Sequence, residues 1–559
     1  MEMGLAHRPM KKAIIILAVL GVFILAGVLF FKRSGGPSKA SLLAPADTVF
    51  YVNIPNVPMS GFRWQKTALA RIAAEPEVAA FLKKPTTLVR ESPVGKEVLK
   101  LLAALKPGNI FFAMTEESSP GFNALLGFQF WGKRSDFDIA VERLRQRLPG
   151  GSGELKTEIY RGIDLSGSRH GDRVLWSAAA GRWGLLASNL DVLRSAIDRA
   201  TGAESVTRLG ESEQFRKVAA ALPSEPDLLV FVRPDKVANA LIHSGHAAGA
   251  ELILAQAAAL KGAEAVGAAW KMEGELQRDA VFVMRPRNLE ALPKLSHQAM
   301  ELTTADSDFF FDFVLNFDAL PGFLEVMEDT FPDEVFRLEP YSQVFSQAFG
   351  PECAVVGNWA TGKMAPSAFV AVQVRNKEKA ASFSRFLAEN VDGAVSNIVQ
   401  ETSVTTIPSG QGEFTFVQND KFLLVGTNAA QLVELATGEG GNATKAATPG
   451  FESGIKAYRG ANEMFGFIDT RVVFENLYTS LVPVLRLSAM MVPKVSEVIN
   501  VEKMPAAETI GKILPPIVVS QKVSAEGTLL ESSGPVSLTQ FLMIGGAAAD
   551  VAKQNLFKR

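Results

Sequence analysis

The segment GNWATGKM, residues 357–364, has the glycine and lysine spacing of a loop that binds nucleotide phosphates. Such a loop needs a hydroxyl residue after the lysine to hold magnesium, but Met364 stands there. It also needs a helix start whose amides bind phosphate, whereas Ala365-Pro366-Ser367 and the strand-like AFVAVQV follow. We therefore interpret the segment as a β-hairpin turn with Lys363 exposed at its tip, and predict no nucleotide partner.

Two histidines, His243 and His246, are spaced so that they could share a helix face and bind a metal. Only Glu251 and Glu264 offer acidic partners in the surrounding alanine-rich run. A solvent-facing pair near a helix start is the favoured interpretation, because a metal site needs more ligands than these.

The segment SGSRHGD, Ser166 to Asp172, contains the three residue types of a nucleophilic triad. A triad is assembled from separate segments, and the sequence has no G-x-S-x-G elbow, so a turn between two strands is predicted instead. The acidic pairs Glu116-Glu117 and Asp329/Asp333 are interpreted as solvated loop charges. No catalytic, cofactor-binding or metal-ligating residue is assigned, and the ligand-binding residues remain open.

Composition restricts the classes of partner. A net charge of -2 gives no electrostatic reason to expect nucleic acid, whose binding depends on neutralising phosphates. Cys353 is the single cysteine, so an intrachain disulfide is excluded. With 559 residues, the chain is long enough for two to four domains.

The N-terminal region has the pattern of a membrane anchor. Ala13 to Phe31 is a run of nineteen residues without a charge, flanked by Arg8, Lys11 and Lys12 and by Lys32 and Arg33. This length spans a bilayer as a helix, and an uncleaved anchor is favoured over a signal peptide cut after Ala40. We predict a cytoplasmic tail and anchor over residues 1–33 and a flexible linker over 34–41. The expected location is a bacterial inner membrane, with the C-terminal body in the periplasm.

The body contains an internal duplication. Ala46-Asp47-Thr48 and Ala305-Asp306-Ser307 are 259 positions apart, and Pro107 to Phe130 aligns without gaps with Pro351 to Val374 at an offset of 244. Later matches follow in the same order, among them Leu185 with Leu424, Phe231 with Phe467, and Glu273-Gly274 with Glu526-Gly527. We predict two divergent copies, residues 42–301 and 302–559.

The patterns of the two copies agree with an α+β fold. Phe50, Val52 and Ile54 correspond to Phe309, Phe311 and Phe313, and this apolar face is predicted to pack while the mixed face of Tyr51 and Asn53 is not. Helices are predicted over 135–148, 190–202, 377–390 and 429–438. The predicted architecture is an antiparallel-sheet module in two copies, each a separate sheet with helices packed on one face.

A resemblance follows from the start of the chain. The basic tail, the apolar anchor, the spacer SGGPSKAS and then LAPADTVFYVNI resemble a family of bacterial anchored envelope proteins known only as a domain of unknown function, of the 3352 type. The resemblance implies an extracytoplasmic location and brings no catalytic residues.

Two further apolar stretches bear on function. Thr479 to Pro493 is too short and interrupted to span a bilayer; a buried helix is favoured, and an interfacial segment or a lid over an apolar cavity are alternatives. Phe541 to Gln554 could dock on the body or on another copy.

The favoured function is that of an anchored, non-enzymatic protein that binds or organises an envelope partner. One alternative is a carrier or sensor of an apolar, lipid-like ligand, supported by the phenylalanine-rich strands. A second alternative is a hydrolase whose site is assembled in space.

Overall fold

The structure is a computed structural model, and the described residues exclude the N-terminal region and several internal segments. They are 40–91, 93–116, 122–147, 155–170, 173–202, 207–237, 262–286, 293–304, 306–315, 317, 344–360, 363, 365–399, 402–409, 412–438, 451, 460–491 and 500–537. The predicted anchor Ala13 to Phe31, the pair His243/His246, the residues Asp329 and Asp333, and Phe541 to Gln554 lie outside these ranges.

Twenty strands form the framework of the molecule. The first ten are β1 Thr48–Ile54, β2 Pro107–Glu116, β3 Phe122–Phe130, β4 Leu155–Tyr160, β5 Ile163–His170, β6 Arg173–Ala180, β7 Trp183–Ala187, β8 Leu228–Val232, β9 Ala265–Glu273 and β10 Leu276–Met284. The second ten are β11 Phe309–Val314, β12 Phe349–Asn358, β13 Ser367–Val374, β14 Val395–Val399, β15 Thr402–Ser409, β16 Gly412–Gln418, β17 Phe422–Gly426, β18 Met464–Ile468, β19 Ile517–Ser524 and β20 Gly527–Gly534.

The helices with bounds in the described residues are distributed over both halves. They are α1 Val57–Trp64, α2 Ala68–Ala74, α3 Pro76–Glu91, α4 Pro93–Leu105, α5 Arg134–Arg147, α6 Leu190–Ala200, α7 Glu213–Ala221, α8 Lys377–Asn390, α9 Ala429–Thr437, α10 Thr470–Met491 and α11 Ala507–Gly511. The four predicted helices correspond to α5, α6, α8 and α9.

The strands form one antiparallel sheet in which the second ten repeat the order of the first ten. From the outer edge inwards the first ten are ordered β4-β5-β6-β7-β3-β2-β1-β8-β9-β10. The second ten are ordered β14-β15-β16-β17-β13-β12-β11-β18-β19-β20. Each strand therefore has a counterpart ten strands later in the chain.

The two sets of strands are joined directly, so the prediction of separate sheets is wrong. β10 and β20 pair antiparallel over eight residue pairs, from Gln277 with Gly534 to Met284 with Gly527. Because these strands are counterparts, the pairing relates the halves by a local two-fold axis at the pair Ala280 and Glu531. The joint satisfies backbone groups that two separate sheets would leave exposed at their inner edges.

Two of the predicted alignments are shifted in the structure. The pair Ile110 and Phe128 in the first half corresponds to the pair Cys353 and Val372 in the second half. Residues of β12 therefore match those of β2 at an offset of 243, whereas residues of β13 match those of β3 at an offset of 244. Bulges interrupt both of these strand pairings and shift the register by a residue, which a gapless alignment does not show. The second hairpin closes at Ser524 and Gly527 where the first closes at Glu273 and Leu276, giving an offset of 251 instead of 253.

Helix positions follow local capping residues that both halves share. Asn189 caps α6 by accepting from the N–H of Val192 at 2.9 Å, and Asn428 caps α9 by accepting from Gln431 at 3.3 Å. Both helices end before a glycine with positive φ, Gly202 at 81° and Gly438 at 73°. The caps explain why these helices start and stop where the sequence predicts.

The residues before each first strand form equivalent 3-10 turns, Ala40–Leu42 and Ala299–Leu302. Ala40 is 2% exposed and Ala299 is 0% exposed, and they are 259 positions apart like the strands that follow. Ala40 and Ser41, predicted to end the flexible linker, belong to the first turn. The second turn extends across the predicted boundary between residues 301 and 302.

The packed face of the sheet is the opposite of the one predicted. Tyr51, Phe111, Phe231, Phe310 and Phe467 share one face and are at most 1% exposed. We call this the Tyr51 face and the opposite one the Phe50 face. Asn53 lies on the packed face because its side chain donates to Asn109 at 2.7 Å and to the Ile110 carbonyl at 2.9 Å. The polar residue Asn53 therefore occupies a buried position in which it is hydrogen-bonded, and not the exposed position that its polarity predicted.

Helices pack on both faces, which corrects the prediction of helices on one face. α6 and α7 place Leu193, Ile197 and Val218 in the core cluster of the Tyr51 face. α5 packs on the other side, where Phe137 contacts Phe128 and stacks on Phe130 with 5.6 Å between ring centroids. Because strand side chains alternate between faces, neighbouring apolar positions can support helices on opposite sides.

Candidate functional site

The Phe50 face of the central strands is the candidate functional site. The central strands are β3, β2, β1, β8, β9, β10, β20, β19, β18, β11 and β12, which are consecutive neighbours in the sheet. With neighbouring strands about 4.8 Å apart, eleven strands extend over roughly 48 Å. This face is therefore long enough to receive an extended molecule.

Most apolar side chains on this face keep partial exposure, although Ile54, Met272 and Val519 are at most 5% exposed. In the middle of β1, Phe50 and Val52 are half-buried while Val49 and Tyr51 are 1% exposed. The half-buried apolar residues on this face include Phe50, Val52, Ile110, Phe112, Met114, Leu126, Val230, Val266, Ala268, Val281, Val283, Leu530, Met464, Ile468, Phe309, Phe311, Phe313 and Val355.

The two faces of the central strands differ in their number of charged residues. On the Phe50 face of the central strands, the charged residues are Glu116 and Asp279. On the Tyr51 face there are seven, namely Lys271, Glu273, Arg278, Asp312, Glu352, Lys522 and Glu531. A face this poor in charge is suited to an apolar ligand and offers little to a charged one.

The charges of the Tyr51 face are concentrated at the joint between the halves. Arg278 bridges Glu273 and Glu531, both at 3.3 Å, and Lys522 pairs with Glu531 at 3.3 Å. Lys271 pairs with Glu273 at 2.7 Å. Directly behind this network, Val281 and Leu530 pair on the Phe50 face. The middle of the sheet is thus charged on one side and apolar on the other.

The polar groups on the Phe50 face near the joint are hydrogen-bonded to one another. Asp279, 6% exposed, accepts a hydrogen bond from the hydroxyl of Ser532 on the paired strand. Trp270 Nε1 donates to Gln277 Oε1 at 3.1 Å, and Gln277 Nε2 donates to the Pro535 carbonyl at 3.1 Å. These groups satisfy each other, so they leave the surrounding surface apolar.

A helix flanks the central strands at each end on this face. In the first half α5 places Phe137 and Val141, 2% and 5% exposed, against the sheet. In the second half α8 places Phe383 and Leu387 in a cluster with Cys353, Phe349 and Val372. Burial, together with the nearby carboxylates of Asp312 and Glu352, raises the pKa of the Cys353 thiol to about 12. The thiol therefore stays protonated at neutral pH and is a packing group rather than a nucleophile.

The structure places Lys363 as predicted. It is exposed and lies in the connection between β12, which ends at Asn358, and β13, which begins at Ser367. The start of this connection is held by Asp308, which accepts from the Trp359 N–H at 2.6 Å, and by Asn476, which donates to the Trp359 carbonyl at 2.8 Å. A strand follows the lysine instead of a helix, so the phosphate-loop alternative fails on geometry.

The other candidates from the sequence do not assemble into a reactive site among the described residues. Ser166 to His170 belong to β5, which pairs antiparallel with β6 as the prediction of two neighbouring strands requires. Glu116 is exposed and pairs with Lys236 at 3.5 Å. No group of three or more His, Cys, Asp or Glu side chains that could hold a metal occurs in the part of the chain that the structure describes.

The segment from Thr479 is helical, but the prediction that it is buried is wrong for the described side chains. It belongs to α10, where Leu481 is 52% and Leu487 is 60% exposed. Leu477, one turn before Leu481, is 42% exposed. Apolar composition alone predicted burial, and the structure shows apolar side chains in solvent contact.

No helix among the described residues combines the length and hydropathy needed to cross a membrane. Ala13 to Phe31 lies outside them, so the anchor stays a prediction.

No protein-family profile matches the chain, and no curated protein matches it either. Among solved structures, crystal form I of TP0453 matches at 10% identity with a TM-score of 0.24, covering 46% of this chain and 81% of that chain. Crystal form IV of TP0453 matches at 9% identity with a TM-score of 0.26, covering 44% and 81% respectively. These likenesses support no assignment of function.

The sequence indicates that the phenylalanine-rich strands could hold an apolar ligand, but it does not show on which face of the sheet. It did not identify Val230, Val266, Val281 or Leu530, which lie on the Phe50 face near the joint. The available signal was the alternation within β9 and β10, where Val266, Val281 and Val283 alternate with residues of the opposite face.

Proposed function

We propose that this protein is a non-enzymatic binding protein whose ligand is apolar and extended, such as an acyl chain, and lies on the Phe50 face of the central strands. One observation carries the proposal: at least eighteen apolar side chains on one face of consecutive strands remain half-buried. Apolar side chains gain free energy when they leave water, so a ligand that covers them is stabilised by about 25 cal/mol per Å² of buried apolar surface.

The charge distribution supports an apolar ligand over a polar one. Glu116 stands at the end of β2, and the Asp279 carboxylate accepts from Ser532. The phenylalanines of β1, β2 and β11 add wide contact surfaces, since aromatic side chains bury more area than other residues. The surface therefore favours hydrocarbon without selecting a charged headgroup.

The proposal also includes the arrangement of the chain. Residues 42–301 and 302–559 are taken as two divergent copies of one module, which is supported by the repeated strand order. Ala13 to Phe31 is taken as an anchor that holds this body on the periplasmic side of a bacterial inner membrane, supported by its length and flanking charges. An anchored body would meet apolar ligands as they leave or enter the bilayer.

Mass spectrometry of bound material tests the proposal. We would purify residues 34–559 without detergent, extract with organic solvent, and compare the extract with one from the double variant Phe50→Ser, Phe309→Ser. These phenylalanines are counterparts on the Phe50 face. We expect lipid-like species from the parent protein and at least fivefold less from the variant.

A control variant removes exposed apolar groups elsewhere. Ile139→Ser with Leu144→Ser changes α5 side chains that are 49% and 38% exposed, away from the central strands. The extract of this control is expected to match that of the parent. Equal yields from all three proteins, or none above a blank purification, would reject the apolar-ligand proposal.

A further inference from the structure

The outer edge of the second half, strand β14, exposes apolar side chains on both faces. Among the described strands it pairs with β15 alone, so no described strand covers its other edge. Val395, Ile398 and Val399 are 55%, 81% and 42% exposed. The strand VSNIV contains neither a charge nor a proline, two of the features that protect an exposed edge from association.

The counterpart strand β4 has the protection that β14 lacks. The strand pairings of β4 to β7 and of β14 to β17 have the same register when residues 239 positions apart are matched. Lys156 therefore corresponds to Val395, and Glu158 corresponds to Asn397. Glu158 is further held in an ion pair with Arg194 of α6. The two outer edges therefore share a position in the fold but differ in their charge.

Exposure alone does not explain this difference. Ile159 of β4 is 72% exposed, and its counterpart Ile398 is 81% exposed. Both edges thus present an isoleucine to solvent, but only the β14 edge places it on a strand without charges.

We propose that β14 pairs antiparallel with β14 of a second copy of this chain, forming a two-fold dimer through a continuous sheet. A two-fold axis at Asn397, the middle residue, leaves no residue of the strand unpaired: Val395 faces the partner's Val399 and Ser396 faces the partner's Ile398. No like charges are opposed in this arrangement. The same arrangement at β4 would place Glu158 against the partner's Glu158, which is unfavourable.

The occupant is a second copy because the chain already uses this mode of association once. β10 and β20, which are counterparts, pair antiparallel about a local two-fold axis inside the molecule. Pairing of β14 with itself repeats that geometry at the outer edge. An unrelated charged peptide would gain the backbone bonds but find no charged partner on VSNIV. The inference is independent of the apolar-ligand proposal, since β14 lies outside the central strands.

Disulfide formation tests the pairing in the full-length chain. In the variant Asn397→Cys the two introduced cysteines lie directly opposite, with Cα atoms about 4.5–5.5 Å apart, which is compatible with a disulfide. Cys353 is 2% exposed, so it does not compete. Under mild oxidation in detergent, we expect most of the chain to migrate as a covalent dimer on non-reducing gels.

Glu158→Cys is the matched control at the counterpart position of β4, and we expect less than a tenth as much dimer. Equal crosslinking of both variants would indicate random collision and overturn the proposal, as would no crosslinking of Asn397→Cys.

A second measurement does not depend on the exact register. Ile398→Lys introduces a charge on the edge, and we expect light scattering to show at least tenfold less dimer than for the parent. Ile159→Lys places the same charge at the counterpart position and should leave the dimer intact. A monomeric parent chain at micromolar concentration, or an Ile398→Lys chain that remains dimeric, would overturn the proposal.

Discussion

The two faces of the central strands are similar in apolar content but differ in what covers them. On the Tyr51 face, Phe231 and Phe467 are fully buried under helices and 3-10 turns. On the Phe50 face, Phe50 and Phe309 come from equally apolar strands and remain half-buried. Both faces are apolar, so the covering elements decide whether a face is packed by the chain's own side chains or stays available to a ligand.

The largest expected effect is on the Tyr51 face. Phe231→Ala and Phe467→Ala should each lower the free energy of unfolding by about 3–5 kcal/mol, because each deletes a fully buried ring and leaves a cavity. Guanidinium unfolding followed by near-UV circular dichroism measures the loss. A loss below 1 kcal/mol for either variant would show that the face is not a tightly packed core.

A smaller effect is expected from a buried polar contact on the same face. Glu352 is 0% exposed and accepts hydrogen bonds from the N–H groups of Ser296 and Ala299. Glu352→Ala leaves both donors unpaired, and we expect it to cost about 2–4 kcal/mol. The matched control is Asn109→Ala at the counterpart position. It removes the Asn109 Oδ1 acceptor of Asn53 Nδ2, which still donates to the Ile110 carbonyl. A larger loss for Asn109→Ala would contradict this order.

The Phe50 face should tolerate truncation better. Phe50→Ala removes a half-buried ring whose surface is already partly in water, so the expected loss of unfolding free energy is about 1–2 kcal/mol. The same unfolding assay compares it with Phe231→Ala. Equal losses would mean that the two faces are packed alike and would remove the distinction between them.

The smallest effect is expected outside both faces. Lys363 is exposed in the β12–β13 connection, and Lys363→Ala should change the unfolding free energy by less than about 0.5 kcal/mol. Retention of apolar ligand should also be unchanged, as measured by extraction. A marked loss of either property would mean that the connection has a role that its position does not indicate.

Much of the fold could be predicted from local patterns. The helices α6 and α9 end at glycines and start at asparagine caps, and both signals are visible in the sequence. The duplication was recognisable from collinear matches such as Phe231 with Phe467. These features are local or repeated, so a single sequence contains them.

The covering of the sheet could not be predicted because it depends on contacts distant in sequence. Asn53 suggested a mixed, exposed face, whereas its side chain is buried and donates a hydrogen bond to Asn109, 56 positions away. The joint of β10 with β20 connects residues about 250 positions apart and has no local signal. The bulges near Ile110 and Cys353 shifted an alignment that looked gapless.

Photo-crosslinking with a diazirine-bearing fatty acid tests whether an apolar ligand lies on the Phe50 face. After irradiation of the full-length protein with the probe, peptide mass spectrometry would locate the labelled residues. We expect labels to concentrate on Phe50-face residues of the central strands, such as Phe112, Val281 and Phe311, and excess unlabelled fatty acid to remove them. Labels restricted to α10 or to the outer strands, or labels that the competitor does not reduce, would contradict this expectation.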